Sequence, residues 1–315
     1  MYVGLDISKE EIYVGSNLNK STFKVENNEK GFPKLLEFIN SLDSLEAVVM
    51  ESSGGYEKAI CYFLLENKIP FAVVNPKNVR RYADAMGILA KNDSIDAYVI
   101  ACFAFAIKPK PVTLLDKDIV ELKELLRRRE QIIGHISSEK NRSYLTDANI
   151  KKSINRVIDF LEKELKIIEY EIDTLLKKRG DLSQKVKVIE SIPGVGRVLS
   201  STIIGFLPEI EQISKKQTSS LIGIAPFGKE SGKVKKKGKI VGGRFQVRKA
   251  LYMATISAIR FNKPIKEFYL KLKAKGKPGR VCIVACMNKL IRIIRACLVH
   301  NTLWEESYAL KQGAA

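Results

Sequence analysis

YVGLDISKEEIYVGS, residues 2–16, decides the fold. Tyr2–Ile7 is an apolar run interrupted by Asp6. Ser8-Lys-Glu-Glu11 turns the chain, Ile12–Ser16 is a second short run, and Thr22–Glu26 is a third. Short runs rich in β-branched and aromatic residues, with turn residues between them, read as a three-strand meander. Asp6 lies midway along the first of them. An ionised carboxylate inside an apolar sheet is costly unless a cation or hydrogen bonds compensate.

Working outward, residues 31–42 place Phe32, Leu35, Leu36, Ile39 and Leu42 at helical spacing. Leu45–Met50 is a continuous apolar strand that ends at Glu51. Gly54–Asn67 is helical, Phe71–Asn75 is a strand that Pro76 stops, and Val79–Ala106 is mostly helical. The order βββαβαβα puts a mixed sheet between helices, an α/β domain over residues 1–110.

From 111 to 182 the pattern changes. Leu115, Ile119, Leu122, Leu126, Ile133 and Ile136, then Ile154, Val157, Ile158, Leu161, Leu165, Ile168, Ile172 and Leu175, recur at three and four residues with charges between them. This is a pair of long amphipathic helices broken near Thr146–Asn149, packed either within one chain or as a coiled coil between chains. Residues 183–315 form a third, mainly α, glycine-punctuated region.

The 315 residues carry 54 Lys and Arg against 35 Asp and Glu, a net charge of +19 that favours a polyanion partner. Residues 227–249 hold nine of the cations against Glu230 alone, a localised block beside glycines. No stretch approaches the ~20 apolar residues of a membrane span, and the N-terminus does not read as a signal peptide. The cysteines at 61, 102, 282, 286 and 297 sit among apolar neighbours and read as reduced, buried thiols. A metal pair at Cys282 and Cys286 lacks a second Cys/His pair at zinc spacing. These features lead us to expect a cytoplasmic protein.

Asp93 and Asp96, in Lys91-Asn-Asp-Ser-Ile-Asp-Ala97, are three apart and share one face of a helix. With Asp6 and Glu51 they make four carboxylates at the ends of adjacent elements, enough oxygen ligands for two Mg²⁺ ions that clamp a phosphodiester. The alternative is an Asp93 N-cap with Asp96 as its first-turn partner. Further on, Ile192-Pro-Gly-Val-Gly196 resembles a helix-hairpin-helix turn, in which Gly194 and Gly196 let backbone amides approach a phosphate. Gly223-Ile-Ala-Pro-Phe-Gly-Lys-Glu-Ser-Gly232 leads into Lys233, Lys235, Lys236, Lys237 and Lys239, followed by Arg244 and Arg248, all candidate nucleic-acid contacts. On spacing alone Ser231 reads as a turn residue. A serine nucleophile needs a base or an electrostatic field, and the surrounding cations would hold the scissile phosphate. His135 and His300 sit near neither motif.

The βββαβα order, with Asp on the first strand, Glu on the fourth and Asp-x-x-Asp on a late helix, resembles the RuvC-like branch of the ribonuclease-H-like nucleases. Gly4-Leu-Asp6, Glu51-Ser-Ser-Gly-Gly-Tyr56, Asn75-Pro-Lys-Asn-Val-Arg-Arg-Tyr-Ala83 and Lys91–Ala97 resemble the DEDD domain of the "one-ten" family of insertion-sequence transposases, which includes Piv-type DNA invertases. Ile192–Gly196, Gly223–Pro226, Ser231-Gly232 and Arg248-Lys-Ala-Leu-Tyr-Met253 resemble that family's C-terminal serine domain, in the same order. The resemblance implies Mg²⁺ on Asp6, Glu51, Asp93 and Asp96, and a transient phosphoserine link at Ser231. It also implies donor and target DNA paired by a non-coding bridge RNA, in association with the prokaryotic nucleoid. Dimers would assemble into tetramers, with the carboxylates of one protomer meeting the serine of another. Asn92 stands where the family usually has Thr, and the lysine run after Ser231 where it more often has arginines. Two rivals differ in mechanism or class: a nuclease that cuts with metal-activated water, and a non-catalytic binder on a retired nuclease fold. A third reading, a site-specific DNA invertase of the same family, shares all the residues.

Overall fold

Alternation along the strands builds the first sheet. A computed structural model of the chain describes residues 1–88, 92–112, 116–144, 146–231, 234–240 and 242–306, with the backbone alone over 227–231 and 234–239. The chain divides into two compact units, Met1–Asp116 and Lys117–Ala315. Their charges differ: residues 1–116 carry 13 Lys and Arg against 15 Asp and Glu, whereas residues 117–315 carry 41 against 20.

The first unit runs β1 (Tyr2–Ile7), β2 (Glu11–Ser16), β3 (Thr22–Glu26), α1 (Phe32–Asn40), β4 (Ala47–Glu51), α2 (Lys58–Glu66), β5 (Phe71–Val74), α3 (Pro76–Ala85) and α4 (Asp93–Ile107). The sheet order is β3-β2-β1-β4-β5, antiparallel through the meander and parallel from β1 to β4 to β5. Val3, Leu5, Ile7, Val48 and Met50 face α1 and α2 and bury Leu35, Ile39, Ile60 and Leu64 against them. The alternate residues Tyr2, Ala47, Val49 and Ala72 face α3 and α4, against Val79, Ala83, Val99, Ile100 and Phe103. Both faces are thus covered, which is why β4 reads as a continuous apolar run.

Two departures from the expected elements of the first unit exceed two residues, each for a local reason. The helix expected from Gly54 begins at Lys58, because Gly54 (φ +78°) and Gly55 (φ +128°) hold a left-handed turn before it. The mostly helical stretch expected over 79–106 is two helices. Pro76, with its fixed φ, opens α3 under an Asn75 cap, and α4 restarts under an Asn92 cap.

The second unit contains α5 (Lys117–Tyr144), α6 (Ala148–Lys178), α7 (Gly180–Glu190), α8 (Arg197–Phe206), a 3-10 turn (Pro208–Glu211), α9 (Lys215–Ile222), β6 (Pro226–Ser231), β7 (Val234–Ile240), α10 (Phe245–Phe261), α11 (Lys263–Ala274) and α12 (Gly279–His300). The long pair α5 and α6 packs within the chain, closing Ile132 and Ile136 on Ile158. Its base, Ile119, Leu122, Leu126, Ile172, Leu175 and Leu176, shares one core with α7, α8, α10 and α12. A second stripe on α6 stays exposed: Ile150, Val157, Phe160, Ile167 and Tyr170. The basic stretch that follows Gly223 is a hairpin, with β6 antiparallel to β7. Among the described residues no helix is long and apolar enough to cross a membrane.

Candidate functional site

Strand register places the first two acids. Leu5 lies opposite Met50 in the parallel β1–β4 pair, so Asp6 and Glu51 are the next step on neighbouring strands. By the alternation of these strands both point to the face that α3 and α4 cover. Gly4 lets α4 come close: a Cβ there would lie 2.2 Å from the Ala97 carbonyl oxygen and 2.5 Å from the Ala101 nitrogen. At Gly15 it would lie 2.9 Å from the Tyr98 nitrogen. With those two side chains absent, the helix backbone rests directly on β1 and β2, and its first turn stands over Asp6.

That turn carries Asp93 and Asp96. The cap is Asn92, whose Oδ1 accepts from the Ile95 amide at 2.8 Å and from Ser94 Oγ at 3.0 Å. Asp93 is therefore the first helical residue rather than the cap. Asn in place of Thr preserves the capping chemistry, since both side chains accept from the helix's orphan amides. Asp6, Glu51, Asp93 and Asp96 line one cleft of about 340 Å³, together with Ser8, Tyr13 and Arg80. Asp6, Glu51 and Asp96 are half-buried and Asp93 is exposed.

The donor set is all carboxylate oxygen, which suits a hard divalent cation such as Mg²⁺. Among the described residues no three His, Cys, Asp or Glu side chains close into a ligand cage, so the acids line the walls of the cleft.

The loop that follows Glu51 is held by a residue the sequence did not single out. Glu57 Oε2 accepts from Ser53 Oγ at 2.6 Å, the Gly55 amide at 2.8 Å and the Ser53 amide at 3.2 Å. Burial is the largest single influence on this carboxyl and acts to raise its pKa. The hydrogen bonds from Ser53, Gly55 and its own amide together outweigh it and hold Glu57 below the usual range. Arg80 was also not singled out. It stands in the wall of the cleft, 3.2 Å from Asp84.

Ser231 is the last residue of β6 and pairs with Val234 across the hairpin end, while Gly232 and Lys233 lie outside the described residues. Lys235, Lys236 and Lys239 pair through the backbone with Glu230, Lys229 and Phe227, and Lys237 lies between them on β7. The roots of the hairpin are tightly fixed. Gly223 ends α9 in the left-handed conformation (φ +76°), and a Cβ there would lie 2.2 Å from the Gly242 carbonyl oxygen.

Arg244 and Arg248, which the sequence offers as phosphate contacts, direct their guanidinium groups at the protein. Arg248 Nη1 donates to the carbonyls of Ile222 at 3.2 Å and Gly223 at 3.4 Å, and to that of Gly242. Arg244 Nη1 donates to the Phe206 carbonyl at 2.7 Å, and its Nη2 pairs with Glu209. Burial, the largest influence, pushes Glu209 up, but Arg244 and the backbone outweigh it and the carboxyl ends below its usual range. Asn288 of α12 donates to the Ile224 carbonyl at 3.0 Å, just ahead of β6.

In the turn between α7 and α8, Gly194 (φ +89°) meets α10: a Cβ would lie 2.5 Å from both Cα and N of Ala258. Its glycine is accounted for by helix packing. Gly196 has open space around it and begins α8 without a side-chain cap. Cys282 and Cys286 are buried, and burial pushes Cys286 up to about 11, so it stays a neutral thiol at neutral pH.

Two family profiles match the chain. A DEDD-type transposase profile matches residues 3–146, and a profile described as "Transposase IS116/IS110/IS902 family" matches residues 186–270. Among curated proteins, the chain is similar to the pilin gene-inverting protein of Moraxella bovis, 25% identical over 311 residues that span 95% of this chain and 96% of the relative. The pilin gene-inverting protein of Moraxella lacunata is 24% identical over the same shares.

Proposed function

The chain belongs to the IS116/IS110/IS902 family of transposases and is a DNA-recombining enzyme with a RuvC-like first unit, and from that premise we propose that it breaks and rejoins DNA through Ser231, with Mg²⁺ on Asp6, Glu51, Asp93 and Asp96. The observation that carries the reading is the shared cleft of the four acids, which come from three separate elements. Binding DNA does not call for half-buried carboxylates; they repel it.

Ser231 Oγ attacks the phosphorus. An Oγ–P bond forms, the P–O bond to the leaving strand breaks, Oγ gives up its proton, and the departing oxygen takes one up as a hydroxyl. A hydroxyl of the incoming strand reverses the exchange and releases the serine. The phosphoester conserves the bond, so rejoining needs no external energy source. Bound Mg²⁺, as two ions, would neutralise charge on the phosphate. The carboxylates position it, and Glu57 keeps the loop after Glu51 in register with the cleft. The cations of β7 would hold the phosphate near Ser231.

The second unit's charge excess supports two polyanions at once, DNA and a guiding bridge RNA encoded by the mobile element. The exposed stripe on α6 supports assembly of dimers into tetramers. The full-length similarity to the two pilin gene-inverting proteins favours a second reading of the biological outcome, site-specific inversion by the same chemistry.

The deciding experiment supplies the gene with its native flanking DNA and a target plasmid and sequences new junctions. Wild type is compared with Ser231→Ala and Asp6→Ala at matched protein level. Wild type is expected to give junctions and a denaturant-resistant protein–DNA adduct. Ser231→Ala is expected to give neither. Junctions at equal frequency in wild type and Ser231→Ala would remove the serine from the chemistry and leave water as the nucleophile. Inserted against inverted junctions separate transposition from inversion.

A further inference from the structure

The second unit carries another concentration of positive charge, outside both segments matched by the family profiles. Lys271, Lys273, Lys275, Lys277 and Arg280 fall within ten residues, and no acid occurs from 268 to 304. All five are exposed, and none is ion-paired to a described residue. They fan around one corner of the fold, where α11 ends, Lys275–Pro278 turns the chain, and α12 begins. Gly276 (φ +70°) makes the turn, and both Gly276 and Gly279 have open space where a side chain would stand. Pro278 caps α12 without a side-chain hydrogen bond, so the first amides of a 22-residue helix add partial positive charge at the same corner.

Five like charges held together repel one another. A solvated lysine face normally interleaves acids, as α5 does with Glu124 beside Arg127 and Glu139 beside Arg142. This corner has none. We propose that it is a docking surface for the sugar-phosphate backbone of duplex DNA flanking the recombination site. DNA offers a charge every ~1.7 Å of axis, and neutralising its phosphates releases condensed counterions.

The position along α12 fits that occupant. Asn288, which supports the chain just ahead of β6, lies eight residues beyond Arg280, about 12 Å along the helix. One helix, α12, thus connects the basic corner to the root of the Ser231 hairpin. At roughly 3.4 Å per step on a strand, the corner meets phosphates about three to four base pairs from that root. This distance rests on Ser231 being the nucleophile, whereas the docking itself does not.

The test uses the full-length protein with Lys271, Lys273, Lys275 and Lys277 all changed to Gln, and a 40-base-pair duplex of unrelated sequence as probe. Binding is followed by fluorescence anisotropy over a series of salt concentrations, and circular dichroism and thermal unfolding confirm that the exposed substitutions leave the fold intact. The slope of log K against log salt is expected to become shallower by about 0.9 for each lysine that meets a phosphate, so by up to about 3.6, with weaker binding at low salt. An unchanged slope overturns the proposal. So does a loss confined to a single-stranded RNA probe, which would give the corner to RNA. Ser231→Ala, measured in parallel, is expected to keep the wild-type slope, so a failure of the serine chemistry leaves this result standing.

Discussion

Glu57 shows how much one side chain can organise. It is half-buried and gathers two amides and a hydroxyl, and its carboxyl lies below the usual range. A depressed carboxyl adds stability that is present above its unfolded pKa, near 4.5, and is lost as pH falls through the lower folded value. Glu57→Gln should therefore unfold more easily than wild type at pH 7, by about 1 kcal/mol once solvent screening is allowed for. The two proteins should converge as the pH falls from 4.5 through the lower folded value, which urea unfolding at a series of pH values will check. A gap that persists in acid would mean that shape rather than charge is what the loop uses. The sequence exposes Asp6 and Glu51 because an acid in an apolar strand contradicts its surroundings. It does not expose Glu57, whose partners are backbone groups brought round only by the left-handed glycines. Nor does it show why Gly4 is glycine, since the atoms that exclude a side chain belong to Ala97 and Ala101, far along the chain.

At the scale of elements, the hairpin is where charge misleads. Five lysines in seven residues hide any alternation, so β6 and β7 do not read as strands. Arg244 and Arg248 are counted with that block by sequence, yet three-dimensional contacts make them fasteners of its roots. Arg248 serves three carbonyls on both sides of the hairpin. Arg248→Ala should cut recombination by at least about tenfold, the loss of hydrogen bonds from a charged donor being about 1.5–3 kcal/mol. DNA affinity and its salt slope should be unchanged. Arg248→Lys should not restore activity, because an ammonium lacks the planar fork that reaches separate acceptors. A salt slope shallower by about one in either variant would instead return Arg248 to the phosphate. The paired helices α5 and α6 were legible down to the break between them, because a strict three-and-four repeat has no other reading at that length. Periodicity could not tell packing in the chain from packing between chains. The residues facing α5 answer the first half.

For the whole molecule, the second half of that question remains with the exposed stripe of α6. Apolar residues spaced along an exposed helix face favour the assembly proposed above. Phe160→Glu combined with Val157→Glu should lower the mass measured by light scattering to that of one chain, with helicity retained. An unchanged mass would mean that this stripe does not hold chains together.

The uneven charge of the two units has its own consequence. The carboxylate unit, with more acids than cations, has no long-range attraction to a nucleic acid and on its own would be turned away at low ionic strength. Joined by the chain to a strongly basic companion, it no longer has to find its substrate by diffusion. Its local concentration near bound DNA is set by the covalent link to that companion rather than by its own affinity. Charge thus assigns the attraction of a nucleic acid to one unit and leaves the acids to the other.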